Sequence, residues 1–138
     1  MFILGFPLLV VPFALYNIVA FLLRGFVWTD PMVQVTMISQ APFVLSWGDG
    51  LIVVALFFLF LEIAKATRMS RRSVVDHVLS LLLFIAMLVE FLMVKETATA
   101  TFFLLLAIAF VDVIAGFTVS LRTAQRDVSF ETVRASDA

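Results

Sequence analysis

Apolar positions in this chain come in long uninterrupted runs, and charged positions collect in the gaps between them. Four runs stand out, at 2–23, 45–64, 74–94 and 99–121. At 1.5 Å rise per residue, each reaches roughly 30–35 Å as a helix, enough to cross a ~30 Å hydrocarbon core with modest tilt. Helices are required because backbone groups in lipid must be paired within their own segment, and the runs lack the strict alternation of barrel strands. The pattern therefore predicts an all-α integral membrane protein. It is expected to be a four-transmembrane-helix bundle over residues 1–121, with short loops, followed by a cytoplasmic tail over 122–138.

The gap between the first two runs is the only long one. Asp30 can cap a helix, Pro31 suits a first helical position and Pro42 would stop it, which predicts a short helix over residues 32–40. Trp28 and Trp47 bracket the stretch as indoles do at a membrane interface, so it reads as an interfacial segment on the outer leaflet. The irregular spacing of Val33, Val35, Met37 and Ile38 leaves a strand-like or coiled stretch as the alternative. The tail from Thr123 onward has too little apolar content to fold alone and is expected to be a short helical extension that frays. The first two runs do not resemble the last two, which argues against an inverted-repeat transporter within one chain.

Composition supports the lipid reading. Hydrophobic residues make up 64% of the chain and charged residues 14%, with a mean hydropathy of +1.18, against ~45–50% apolar and ~25% charged in soluble domains. The bilayer is the principal partner expected. Nine Lys and Arg balance ten Asp and Glu and form no basic groove, so no nucleic-acid partner is expected. Lys65, Arg68, Arg71 and Arg72 lie between the second and third runs, and Arg122, Arg126 and Arg134 follow the fourth. The other side holds only Arg24 and Lys95. By the positive-inside rule both termini lie in the cytoplasm, and a multi-pass protein of a bacterial inner membrane is expected. The first run has no basic n-region and ends in Leu22-Leu23-Arg24 instead of a small-residue cleavage site, so it is expected to be retained.

Chemistry is sparse. The sequence contains no cysteine, which excludes disulfides and thiolate metal sites. His77 is the single histidine, which excludes bis-histidine haem and histidine-rich zinc within one chain. No cofactor, metal site or catalytic residue is expected, and the chain does not read as an enzyme.

Ionisable side chains inside apolar runs are functional candidates, because each costs at least ~2.5–3.5 kcal/mol at the bilayer centre. Asp49, Glu62, Asp76, His77, Glu90 and Asp112 are the set. Several have ordinary explanations. Ser46 and Asp49, like Ser73 and Asp76, have capping-box spacing. Glu62 precedes Lys65 by three residues and can pair with it at a helix end. A lone His77 at a membrane edge is usually an interfacial hydrogen-bond donor, with a proton relay as the alternative.

Asp112 resists such an account, since it lies roughly 13–14 Å deep with no basic residue within helical reach. It shares a helical face with Ala109, Gly116 and Ser120, a helix-packing stripe of small residues that turns it toward protein, with Ser80 at comparable depth as a partner. Counting inward also places Asn17, Asp49 and Glu90 at a common depth of roughly 22–24 Å, a second candidate polar site. The pattern best fits an accessory, scaffolding or assembly protein acting through helix–helix contacts, with itself or another membrane protein as partner. The alternative is a small homo-oligomeric ion- or proton-coupled transporter or channel using these carboxyls.

Overall fold

The computed structural model describes residues 5–67 and 73–137, apart from the side chains at 73, 123 and 127. The start of the first apolar run and the basic positions Arg68, Arg71 and Arg72 lie outside these residues. In chain order the elements are α1 (Val10–Leu22), a hairpin of β1 (Pro31–Thr36) and β2 (Pro42–Ser46), α2 (Trp47–Ala66), α3 (Ser73–Met93), a 3-10 turn (Lys95–Thr97) and α4 (Ala100–Ser136). Helix dominates. Among the described residues three helices, α2, α3 and α4, are long and apolar enough to cross a membrane, which points to membrane association.

The first run does not form one helix of span length. Its helix covers 13 residues, about 20 Å, because two prolines lie at its start. Pro12 has no N–H to give the Leu8 carbonyl, so Val11 N–H bonds that carbonyl instead at 3.0 Å, and Val10 N–H bonds Pro7 at 3.2 Å. The regular ladder begins one step later, with Phe13 N–H on Leu9 at 3.3 Å. Residues 5–9 thus enter α1 as an irregular stretch.

The short helix expected over residues 32–40 is replaced by the antiparallel hairpin. Val33 pairs with Leu45, Gln34 with Val44, Val35 with Phe43 and Thr36 with Pro42. The β-branched Val33, Val35 and Thr36 favour extended backbone, and Pro42 takes the first position of its strand, where the missing donor is tolerated. Gln40 turns the chain at φ 64°, and Met37 N–H closes the loop on the Ala41 carbonyl at 3.0 Å. Pro31 begins a strand, and Asp30 uses its carbonyl to accept from Trp47 N–H at 3.1 Å. The alternation, visible in retrospect at Val33 and Val35, outweighs the capping signal.

The tail is helical beyond Thr123 as expected, but the extension is longer than a short fraying one, since α4 continues unbroken to Ser136. The N-terminus of α2 behaves as its spacing predicts: Ser46 and Asp49 close a reciprocal capping box, with Asp49 N–H on Ser46 Oγ at 3.1 Å and Ser46 N–H on Asp49 Oδ2 at 2.9 Å.

α4 is the central element, and both α2 and α3 pack on it. Phe102, Leu105, Leu106 and Ala109 recur at three- and four-residue steps on its buried face and meet Leu9, Tyr16, Ala55 and Met87. Tyr16 fixes α1 at the hairpin end. Its ring stacks on Trp28 at 4.6 Å, and its hydroxyl reaches Thr99 Oγ1 at 2.6 Å and the Glu96 carbonyl at 3.1 Å. Large apolar residues such as Phe57, Phe60, Leu82 and Phe103 cover the outside, as lipid requires.

Close approach at the hairpin end depends on Gly48, whose N–H bonds the Trp28 carbonyl at 2.8 Å. A Cβ there would press on Thr101 Oγ1 and lie 3.2 Å from that carbonyl, whereas at Gly50 it would meet only the flexible thioether of Met32 at 3.1 Å. Gly48→Ala is therefore expected to lose about 1–3 kcal/mol in detergent unfolding and Gly50→Ala much less. Equal losses would contradict this packing.

Candidate functional site

Three carboxyls lie inside the helical assembly near the end where α2 stops and α3 starts. Glu62 on α2 is 5% exposed, Asp76 on α3 is 9% and Asp112 on α4 is 5%. With Lys65, His77, Ser80 and Gly116 they line a cavity of ≈ 10 Å³, about the space of one water.

Each group is held differently. Glu62 pairs with Lys65 at 2.9 Å one helical turn away, and neither side chain snorkels to water. The pair is instead occupied with the irregular first segment: Leu8 N–H donates to Glu62 Oε2 at 2.8 Å, and Lys65 Nζ donates to the Phe6 carbonyl at 3.1 Å. The proline break that shortens α1 leaves these backbone groups without helical partners, and the ion pair supplies them.

Asp112 faces protein, as its stripe predicts, and Ser80 is its side-chain hydrogen-bonding neighbour across the α3–α4 contact. The stripe itself receives α3. Ala109 packs in the core, Ser120 Oγ bonds His77 Nε2, and a Cβ on Gly116 would collide with the His77 imidazole. Small residues here bring a neighbouring helix close, and what fills the gap is a polar ring. Asp76 has no hydrogen-bond donor on its carboxylate among the described residues. Its capping role with Ser73 falls partly outside them.

The second predicted site is only partly assembled. Asn17 Nδ2 donates to Glu90 Oε2 at 3.3 Å, so these two do meet across α1 and α3, while Asn17 Oδ1 is buried without a partner. Asp49 does not join them. Its carboxylate is occupied by the capping box, accepting also from Ser46 Oγ at 2.7 Å, and it is exposed. Equal depth along a helix does not fix the direction in which a side chain points, and capping decided that direction here. Thr97 closes the turn beside this pair by donating to the Glu90 carbonyl at 2.9 Å.

An apolar layer lies between the two polar clusters. Met87 lies between Ser80 and Glu90 along α3, Leu105, Leu106 and Ala109 precede Asp112 along α4, and all four belong to one packed core. Along α3 the ten-residue step from Ser80 to Glu90 spans about 15 Å.

Sequence reasoning marked Asp112, Ser80, Asn17 and Glu90 but missed Tyr16, the backbone ties to Glu62 and Lys65, and the meeting of His77 with Gly116 and Ser120. Two signals point to these in retrospect: prolines at 7 and 12 create orphaned backbone groups, and a glycine within a helical stripe makes room for a ring. Among the described residues, no three Asp, Glu, His or Cys side chains converge as a metal-ligand set. No protein-family model matches the chain, and neither the curated proteins nor the solved structures contain a match to it.

The Glu62–Lys65 pair generates a double-mutant prediction. Lys65→Met leaves a buried carboxylate unpaired and is expected to lose about 3–5 kcal/mol, whereas adding Glu62→Gln to it recovers more than half of that loss. Unfolding of the single and double variants in detergent measures both. A double variant no more stable than Lys65→Met would show that the pair's charges do not matter to one another.

Proposed function

We propose that this chain is a small four-span membrane protein with both termini in the cytoplasm, acting as an accessory or assembly component through contacts in the membrane. The observation that supports this reading is the apolar layer between the two polar clusters: within a protomer, packed Leu, Met and Ala side chains separate them. Polar groups enclosed in this way hold helices together more readily than they pass cargo.

The fourth crossing is the first segment. Phe6 meets Lys65 near one end of α2, and Trp28 meets Gly48 at its other end, which supports reading residues 6–28 as a crossing although α1 covers only part of the distance. The basic residues beyond α2 and along the continuation of α4 support assigning that end to the cytoplasm and the hairpin to the outside. A bacterial inner membrane suits this arrangement. The hairpin between Asp30 and Asp49 carries no charge, and with the apolar faces of α2 and α3 it offers a surface suited to another membrane protein or a second copy.

A second reading, a homo-oligomeric ion- or proton-coupled transporter, is favoured by Asp76 and Asp112, which lie buried without a salt-bridge partner among the described residues. Flux assays in proteoliposomes separate the two. The accessory reading predicts proton and monovalent-cation flux equal to that of empty liposomes, together with discrete adducts from a photo-crosslinker placed at Ile38 or Phe60 in native membranes. Flux that disappears in Asp112→Asn would overturn it in favour of transport.

A further inference from the structure

The cavity shared by α2, α3 and α4 has a charge balance that its own side chains do not close. Glu62 and Lys65 neutralise one another at 2.9 Å. What remains facing the cavity is Asp76 and His77 from α3 and Asp112 from α4, with the hydroxyl of Ser80. The packed stretch 5–9 brings no ionisable side chain, and Arg68, Arg71 and Arg72 lie outside the described residues. Asp76 and Asp112 are both more than nine-tenths buried, and the Asp76 carboxylate has no hydrogen-bond donor among the described residues. Two carboxylates held in an apolar interior cannot both stay ionised without a compensating positive charge.

We propose that this cavity is a proton-binding site centred on Asp112, with His77 and the Asp76 carboxylate facing it, reached from the end where α2 stops and α3 begins. Its size suits that ligand. A volume of ≈ 10 Å³ accommodates about one water and excludes a hydrated metal ion, and no three metal-ligating side chains converge there among the described residues. Hydronium gives its proton to a carboxylate oxygen, which leaves a carboxylic acid and a water that fits the space.

The neighbours suit both states. Ser120 Oγ lies on His77 Nε2 and Ser80 is the partner of Asp112; each hydroxyl both donates and accepts, so it can serve the charged or the neutral form without moving a helix. Lys65 and Ala66, which also line the cavity, sit in the last turn of α2 and place the opening near that surface. Gly116 completes the site by letting the imidazole reach α4.

Infrared difference spectra of the full-length protein in lipid nanodiscs, recorded across a pH titration, test this directly. The expected result is a protonated-carboxyl C=O band that grows as pH falls, loses at least half its amplitude in Asp112→Asn, and changes midpoint in Asp76→Asn. Ser80→Ala, which keeps every carboxyl in case the Asp variants do not fold, is expected to displace the midpoint by about half a pH unit. Three results would overturn the proposal: a band indifferent to all three substitutions, a band abolished by Glu90→Gln in the other cluster, or the same band change produced by sodium at constant pH. The proposal does not depend on the accessory reading, because binding without flux satisfies both and flux lost in Asp112→Asn overturns that reading alone.

Discussion

A backbone or carboxyl group buried among apolar side chains has no water to fall back on, and the Glu62–Lys65 pair is where this chain meets that constraint for its first segment. Pro7 and Pro12 deprive residues 5–9 of helical partners, and the pair supplies an acceptor for Leu8 N–H and a donor for the Phe6 carbonyl. Each such group left buried and unmet would cost about 1–3 kcal/mol. The same two side chains cancel each other's charge, so one element performs two tasks. The position of α1 follows from it at one end and from Tyr16 at the other, where the phenol ties α1 to Thr99 and to the Glu96 carbonyl.

Between those two anchors the structure relies on apolar packing around α4. Its buried face receives α2 through Ala55 and α3 through Met87. Small residues then set how near α3 can come, and Gly116 permits an approach that brings His77, Ser80 and Asp76 alongside Asp112. Close packing and a polar interior thus have one origin. A stripe that shortens the distance between helices also shrinks the space for water around the carboxyls.

Much of this was legible in the amino-acid order. The expected runs 45–64 and 74–94 lie within two residues of α2 and α3 at each end, because twenty apolar residues bounded by charge admit few other readings. The inward face of Asp112 and its neighbour Ser80 followed from helical spacing alone. Elsewhere two local signals competed and spacing could not rank them. Asp30 and Pro31 read as a helix start, yet Val33 and Val35 paired across a hairpin with Leu45 and Phe43. Asp49 shared a depth with Asn17 and Glu90, yet its carboxylate was already engaged by Ser46. Lys65 was legible as the partner of Glu62, but the main-chain partners of the pair were not, since they lie more than fifty residues away and become available only once the prolines have broken the helix.

The central claim is that the irregular start of the chain reaches the end of the bundle where α2 stops, beside Glu62, Lys65 and Asp76. A Cβ at Gly5 would lie 3.9 Å from the Asp76 carboxylate, and the natural sequence has no cysteine to confuse a crosslink. The most direct measurement is intramolecular crosslinking of the Gly5→Cys/Asp76→Cys variant in membranes with a short bifunctional thiol reagent. The account predicts efficient linkage for this pair and none when the second cysteine replaces Glu90 at the other end of α3. Linkage to position 90, or none to position 76, would contradict it.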